Sequence, residues 1–298
     1  MSGLISGSPR PLGQTLQASP LGYGCWRLVA MSPAAAIERL EVAIDAGITL
    51  FDTADVYGLD WGGTAFGESE SLLGAVFEQL PSLRDEIVLA SKGGIIPGVP
   101  YDSRNLIAAC EASLSRLRVD CIDLYQVHRP DLLAHPEQVA AQLTALREQG
   151  KIQEVGVSNH RPSQVAALQS YLDFPIVSQQ PEYSAAHLDP LFDGTFDQCL
   201  ERGQSVLVWS PLAGGRLATG EGIAPALLEV IDGLAEREGV SRTTLALAFT
   251  LAHPTHPITL IGTTSVPRLA ESSAAVEVHL DAADVYTIIQ ASLGEPLP

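Results

Sequence analysis

The chain has 298 residues, 46% of them hydrophobic, which is enough to bury one large core or two small ones. Its formal net charge of −18 argues against nucleic acid as a partner, because the phosphate backbone binds basic proteins. No run of about 18 apolar residues is present, so no membrane-spanning segment is expected. The N-terminus does not resemble a signal peptide, and the four scattered cysteines are typical of reduced thiols, so a cytoplasmic protein is predicted.

Lysine is rare in this sequence, where Lys92 and Lys151 are the two lysines and the other basic residues are arginines. The scarcity of lysine and the acidity fit either a GC-rich genome or a salt-adapted host. A lysine at the end of a predicted strand is therefore less easily explained as an ordinary surface residue than it would be in an average sequence.

The predicted elements begin with a short hairpin within residues 8–17, followed by a first strand over 21–26. Ser32 and Pro33 place a cap and an N1 proline before a helix over 34–46, which Gly47 ends. A second strand then runs to Asp52.

Strand and helix alternate for the rest of the chain. Strands are centred near residues 22, 49, 89, 124, 155, 177, 207 and 260. Helices are predicted after the second strand at 69–79, 102–117, 136–149, 162–171, 189–202, 226–238, 243–252 and 267–275, with an extra C-terminal helix at 281–291.

Eight apolar strands that alternate with helices predict a parallel sheet closed into a (β/α)8 TIM barrel, with an N-terminal hairpin and an extra C-terminal helix. A doubly wound dinucleotide-binding sheet is the alternative, but Gly22-x-Gly24 is followed by Arg27 where its fingerprint needs a third glycine. No phosphate-binding P-loop is present. No linker divides the sequence, so residues 1–298 are expected to form a single domain.

In such barrels the C-terminal ends of the strands carry the chemistry. Asp52 and Tyr57 follow the second strand, Lys92 ends the third, and His128 ends the fourth. Each alone could be an ordinary loop residue. Together they suit proton transfer to a carbonyl oxygen, because an ammonium favours phenolate, a carboxylate holds the ammonium and a histidine can orient the substrate.

Other polar strand ends suit a bound cofactor. The later strands are followed by amide and hydroxyl groups that could bind a carboxamide and by a flat ring that could stack on an aromatic group. They are also followed by a glycine-bearing loop at 211–217 and by a turn at 262–265 ahead of a helix, where an anion could bind. Histidine spacing typical of a metal site is lacking, so no metal is predicted, and no Ser/His/Asp nucleophile arrangement is present.

These residues resemble the signatures of the aldo-keto reductase superfamily, its bacterial general-purpose branch in particular. The resemblance rests on motifs that occur in order from about Gly22 to Glu271: Gly47-x-x-x-Phe51-Asp52-Thr53-Ala54-x-x-Tyr57-Gly58, Ser69-Glu70-x-x-Leu73-Gly74, Ser91-Lys92, Asp123-Leu124-Tyr125-x-x-His128-Arg129-Pro130, Gly156-Val157-Ser158-Asn159 and Trp209-Ser210-Pro211-Leu212.

The family resemblance implies an oxidoreductase that binds NADP(H) and reduces an aldehyde or ketone to an alcohol. Tyr57 would be the general acid, Lys92 its pKa-lowering partner, Asp52 the ion-pair partner of Lys92, and His128 the residue that positions the carbonyl. The implied cofactor contacts are Gly24, Cys25, Trp26 and Asp52 near the nicotinamide, Ser158, Asn159, Gln180 and Trp209 around its carboxamide and ring, Ser210, Leu212, Gly214 and Arg216 at the pyrophosphate, and Gly262, Thr263, Thr264, Arg268 and Glu271 at the adenosine end.

Two departures from the family pattern bear on the cofactor. Thr264 and Ser265 stand where many members have Lys-Ser, and Ser272 replaces a frequent asparagine. Arg268 can still grip a 2′-phosphate, so NADP(H) is favoured over NAD(H).

The expected partner is a small carbonyl substrate of modest size, in a pocket lined by Trp26, Tyr57, Trp61 and His128. Two other functions remain open from the sequence: an NADP(H)-binding regulatory subunit with little turnover, and a cofactor-free barrel isomerase. A monomer is the default oligomeric state.

Overall fold

The computed structural model describes residues 4–59, 62–96, 98 and 101–297. Two short strands near the N-terminus, β1 (Arg10–Leu12) and β2 (Leu16–Ala18), form the predicted antiparallel hairpin. Gly13 turns the chain between them with φ of +68°, a conformation that glycine adopts without strain.

Eight parallel strands within the described residues close into a barrel, which confirms the predicted fold. Their order around the barrel follows the chain, and the last strand closes on the first. The strands are β3 (Leu21–Gly24), β4 (Leu50–Asp52), β5 (Val88–Gly93), β6 (Ile122–Val127), β7 (Ile152–Ser158), β8 (Ile176–Gln180), β9 (Ser205–Val208) and β10 (Ile258–Ile261).

Helices surround this barrel. In the described part of the chain they are α1 (Pro33–Asp45), α2 (Glu68–Gln79), α3 (Pro81–Asp85), α4 (Leu106–Leu117), α5 (Pro136–Glu148), α6 (Pro162–Gln169), α7 (Thr195–Arg202), α8 (Arg216–Thr219), α9 (Pro225–Glu238), α10 (Arg242–Leu251), α11 (Val266–Ser272) and α12 (Ala282–Leu293). α12 is the predicted extra C-terminal helix, and it lies against α9. No helix among the described residues is both long and apolar enough to cross a membrane.

Two apolar clusters hold the barrel together. The inner cluster fills the barrel with side chains such as Leu50, Leu124 and Leu260, and the hairpin adds Leu12 and Ala18 to it. The outer cluster lies between the strands and the helices. Burying each large aliphatic side chain stabilises the fold by about 1.5–3 kcal/mol.

The inner packing leaves no room for a side chain at position 22 of β3, which is occupied by Gly22. A Cβ atom at position 22 would lie 2.6 Å from the Leu260 side chain and 2.9 Å from that of Leu50. Position 22 therefore needs a glycine, because the Leu260 and Leu50 side chains fill the space that its own side chain would occupy.

Some predicted boundaries were wrong. The first barrel strand ends at Gly24, and Cys25–Leu28 form a 3-10 helix instead of continuing the strand to residue 26. The helix predicted over 189–202 is two elements, a 3-10 turn at Asp189–Leu191 and α7, because Gly194 between them has φ of +85°.

The ends of two other predicted helices are 3-10 helices. Ser103–Asn105 precede α4, which begins at Leu106 instead of residue 102. Ser273–Val276 follow α11, where the sequence predicted one helix to residue 275.

Candidate active site

The four residues singled out at the strand ends lie together at one mouth of the barrel. Asp52 is the last residue of β4 and follows the interior residue Leu50 by two positions, so that both side chains have the same orientation. Lys92 lies within β5, where it follows Ala90 on the interior face in the same way. Strand periodicity therefore aims both charged groups into the barrel.

Lys92 connects the polar groups at the mouth of the barrel. Its Nζ atom donates to Asp52 Oδ2 at 2.6 Å, to the Thr53 carbonyl at 2.8 Å and to the Tyr57 hydroxyl at 2.9 Å. An ammonium group has three protons, and these three acceptors use all of them. The side chains of Lys92 and Asp52 are 1% and 3% exposed, so this ion pair lies out of water.

The charges around Tyr57 act on its pKa in opposite directions. Burial raises the pKa of the phenol, the Lys92 charge and hydrogen bond lower it, and Asp52 raises it, with a net rise. For Lys92, burial lowers the pKa, but Asp52 and Tyr57 raise it, and the net pKa is raised. Lys92 thus carries its charge at neutral pH and Tyr57 carries its proton.

His128 follows β6 and is buried beside the phenol. Its ring centroid lies 5.9 Å from that of Tyr57 in an edge-to-face arrangement, and its backbone N–H donates to the Gly93 carbonyl at 2.9 Å. Burial and the neighbouring charges of Lys92 and Arg129 hold the pKa of the imidazole well below its usual range. His128 is therefore neutral, and within the described residues its Nδ1 atom has no hydrogen-bond partner.

The predicted pocket residues are brought together in part. The Trp26 ring centroid lies 6.2 Å from that of Tyr57, which makes Trp26 a wall of the mouth. Cys25 is fully buried, and its carbonyl accepts a hydrogen bond from Ser69. Trp61 lies outside the described residues.

Ser158, Asn159 and Trp209 form a connected group at the ends of β7 and β9. The Asn159 amide donates to the Ser158 hydroxyl at 3.0 Å and to the His128 carbonyl at 3.2 Å, and its oxygen accepts from Trp209 Nε1 at 3.0 Å. Asn159 has φ of +58°, a left-handed conformation that asparagine tolerates better than most residues. Gln180 differs from these three residues, because its side-chain amide donates to Asp52 Oδ1 at 2.9 Å.

The loop after β9 is a tight glycine-bearing turn that contains the predicted pyrophosphate contacts. The Ser210 hydroxyl accepts from the Gly214 N–H at 2.9 Å, and Arg216 Nε donates to the Ala213 carbonyl at 3.0 Å. Leu212 is partly buried below the turn. Arg27, which follows β3, donates to the Gly214 carbonyl at 3.3 Å.

Gly24 and Gly262 are neighbours where β3 meets the end of β10, since a Cβ atom on Gly262 would lie 3.8 Å from the Gly24 carbonyl. Beyond Gly262, the carbonyls of Thr263 and Thr264 accept hydrogen bonds from Tyr23 and Arg39.

The two residues predicted from α11 for the adenosine end differ in how they are held. The Arg268 side chain is exposed. Glu271 instead accepts a hydrogen bond from Thr244 of α10 at 3.3 Å.

Several residues at the mouth were not predicted from the sequence. Gln126, on β6 two residues before His128, donates to Asp52 Oδ1 at 3.2 Å. Behind Lys92, buried Glu70 accepts from Ser91 at 2.6 Å and pairs with Arg116 at 2.7 Å. A polar side chain at an interior position of an apolar strand is the signal that could have identified Gln126. In the described part of the chain, no group of three or more His, Cys, Asp or Glu side chains is placed to hold a metal ion.

The chain resembles known proteins over almost its whole length. A family model described as the Aldo/keto reductase family matches residues 20–292. A 6-dehydroglucose reductase of Novosphingobium aromaticivorans is 42% identical over 295 residues, which cover 97% of each chain. A second protein of that name, from Agrobacterium fabrum, is 32% identical over 95% of this chain and 97% of its own. An oxidoreductase of Escherichia coli is 32% identical over 97% of both chains. The chain belongs to the aldo/keto reductase family and is an oxidoreductase.

Proposed function

We propose that this chain is an NADP(H)-dependent carbonyl reductase in which Tyr57 is the general acid. The observation that supports this most strongly is the buried series of contacts from Tyr57 through Lys92 to Asp52 at the barrel mouth. Lys92 donates to the phenol oxygen, so the phenol's own proton is available to an acceptor in the mouth. A carbonyl oxygen is such an acceptor.

In the proposed reaction Tyr57 gives its proton to the substrate oxygen as negative charge develops there. The raised pKa of the phenol keeps that proton in place at neutral pH until the oxygen becomes basic. Lys92 then stabilises the phenolate that remains, because its ammonium lies 2.9 Å from the oxygen. Neutral His128 can donate one ring N–H to the same oxygen and so orient the carbonyl. When bound in the mouth, NADPH would supply the hydride.

The residues around the mouth fit that cofactor. Gly214 and Gly215 have φ of +73° and +104°, and no described atom outside the adjacent residues lies within 4 Å of where a Cβ would be on either glycine. A pyrophosphate could therefore approach the backbone of Gly214 and Gly215 closely, and the exposed Arg216 follows these glycines directly in the chain. Ser158 and Asn159 would hold the carboxamide, Trp209 would stack on the ring, and exposed Arg268 would grip the 2′-phosphate.

For the substrate we propose a sugar that carries a carbonyl group, with 6-dehydroglucose as the first compound to test. Two relatives that match nearly the full chain bear the name 6-dehydroglucose reductase. Trp26 beside Tyr57 provides a flat aromatic face at the mouth, which suits the apolar face of a sugar ring.

The test is an assay of the purified protein with NADPH or NADH against 6-dehydroglucose and a panel of unrelated aldehydes and ketones. We expect nicotinamide oxidation with NADPH, and a higher kcat/KM for the sugar than for carbonyls without hydroxyl groups. Calorimetric titration with each nucleotide measures binding independently of turnover.

Two tyrosine variants sharpen the assay. Tyr57→Phe should lower kcat/KM by about 10²- to 10⁴-fold, the range for loss of a general acid. Tyr125→Phe is the matched control, because Tyr125 is fully buried on β6 and its hydroxyl has no hydrogen-bond partner among the described residues. Tight NADPH binding without turnover on any carbonyl would contradict the proposal, as would an active Tyr57→Phe variant.

A further inference from the structure

The side-chain amide of Gln126 is fully buried on β6. Leu124, two residues earlier on the same strand, has the same orientation and packs in the inner apolar cluster. A buried amide without hydrogen bonds destabilises a protein, so an apolar residue would be the simple choice for this position. The contacts of the Gln126 side chain therefore bear on why an amide is there.

Those contacts converge on Asp52. Gln126 Nε2 donates to Asp52 Oδ1 at 3.2 Å, and Gln180 Nε2 donates to the same oxygen at 2.9 Å. Gln180 Nε2 also lies 3.3 Å from Gln126 Oε1, which can accept from it. Because the Gln126 oxygen faces a donor, its NH₂ group is the end that faces the carboxylate.

The two oxygens of Asp52 thus have separate partners. Oδ1 accepts from the two glutamine amides, whereas Oδ2 accepts from Lys92 at 2.6 Å. Amide donors fix the plane of the carboxylate and withdraw part of its charge.

We propose that Gln126 is a positioning residue that, together with Gln180, holds Asp52 so that Oδ2 faces Lys92 and Lys92 faces Tyr57. This proposal rests on the role of Tyr57 proposed above. Gln126 has no hydrogen bond to the phenol among the described residues, and it meets the implied nicotinamide contacts through Asp52 and Gln180. Its effect on proton transfer passes through Asp52 and Lys92.

Loss of the amide has a predictable electrostatic direction. The titratable and charged groups that act on Tyr57 are Lys92 of β5, Asp52 of β4 and Cys25 after β3, and the His128 ring lies beside it. Without the Gln126 donor, the negative charge on Asp52 is less dispersed. A stronger negative charge beside Lys92 disfavours phenolate and raises the pKa of Tyr57.

The experiment uses Gln126→Met, which keeps the length of the side chain and removes the amide. Gln179→Met is the matched control, because Gln179 is a buried glutamine of β8 whose side chain contacts the His160 carbonyl and the Gln180 backbone N–H, and not Asp52. The first readout is the ¹⁵Nζ resonance of lysine, and the chain simplifies it by having two lysines. We expect Gln126→Met to shift the Lys92 signal and to leave Lys151 unchanged, whereas Gln179→Met should move neither signal.

The second readout is the pH profile of carbonyl reduction. Gln126→Met should lower kcat/KM about tenfold and move the alkaline limb upward by about half a unit to one unit, with unchanged affinity for NADPH. A Lys92 resonance identical to that of the wild type would overturn the proposal. Equal shifts of Lys92 in both variants would also overturn it, because they would indicate a general loosening of the barrel. A Lys92 shift in a protein that reduces no carbonyl would uphold the positioning of Asp52 and refute the proposed function alone.

Discussion

The Nζ atom of Lys92 lies 2.9 Å from the hydroxyl oxygen of Tyr57, and the same atom lies 2.6 Å from Asp52 Oδ2. One buried cation thus connects the phenol to a carboxylate on the neighbouring strand. The position of the phenol oxygen depends on an ion pair that water does not reach. Such pairs hold geometry well, but they leave a large penalty when one partner is removed.

Replacement of Lys92 should therefore affect both activity and stability. Lys92→Met leaves the buried Asp52 without its cation, and we expect the free energy of unfolding to fall by about 3–5 kcal/mol. We expect kcat/KM to fall by about 10²- to 10⁴-fold as well, because the phenolate loses its stabilising charge. Urea denaturation and steady-state kinetics measure the two effects.

A second substitution separates the two effects of losing Lys92. Adding Asp52→Asn should recover most of the lost stability without recovering activity, since the uncompensated carboxylate is gone. Lys151→Met is the control: Lys151 pairs with Glu111 at the surface, and its loss should change stability by no more than about 1 kcal/mol. A double variant as unstable as Lys92→Met would show that the penalty does not come from Asp52.

His128 should remain neutral at pH values where an ordinary histidine takes up a proton. Its pKa is held well below the usual range, chiefly by burial. Because the unfolded chain binds this proton as pH falls below about 6.5 and the folded chain does not, stability should decline toward acid pH. His128→Gln should reduce that decline. The ¹⁵N resonances of the imidazole report its state, and a charged His128 at pH 6 would contradict this expectation.

The fold was predictable because its signals are local and repeated. Apolar runs alternating with helices identified all eight barrel strands, and Asp52, Lys92 and His128, selected from the ends of those strands, lie together at one mouth of the barrel. One of the wrong boundaries was decided by a single backbone conformation, at Gly194, where a left-handed φ separates two elements.

The network behind the site was not predictable in the same way. Gln126 lies 74 positions from Asp52 in sequence and Gln180 lies 128 from it, and only closure of the barrel brings them together. Asp55 lies in a turn, but its burial depends on elements far away in the chain.

Asp55 should make stability depend on pH. Burial, with a smaller contribution from Glu70, raises the pKa of Asp55 to about 8. Between the ordinary pKa of an aspartate and pH 8, the folded state binds a proton that the unfolded state releases. Stability therefore falls as pH rises through this window.

Asp55→Asn removes that dependence while keeping the shape of the side chain. We expect the variant to be more stable than the wild type by about 1–3 kcal/mol at pH 8, with a gain that shrinks toward pH 4. Urea denaturation across this range measures it. Asp173→Asn, at an exposed loop position, should show no comparable trend. A gain that is equal at both ends of the range would rule out titration of Asp55 as its cause.

The choice between NADPH and NADH is expected to depend on Arg268, the cation proposed for the 2′-phosphate. Its side chain is exposed on α11, and the residues before that helix are threonine and serine instead of a lysine. Arg268→Ala should raise the Kd for NADPH by about 10- to 100-fold, the range for a lost charge-assisted bidentate hydrogen bond, and leave that for NADH within about twofold.

Arg216 supplies the contrast for Arg268. It lies beside the open glycine turn proposed for the pyrophosphate, which the two nucleotides share. Arg216→Ala should therefore raise the Kd for NADPH and the Kd for NADH by a similar factor, because both nucleotides would lose the same contact with the pyrophosphate. Calorimetric titration of both variants with both nucleotides gives four ratios to compare. If Arg268→Ala weakened NADH as much as NADPH, the arginine would bind a part that the nucleotides have in common, and selectivity would have to arise elsewhere in the loop after β10.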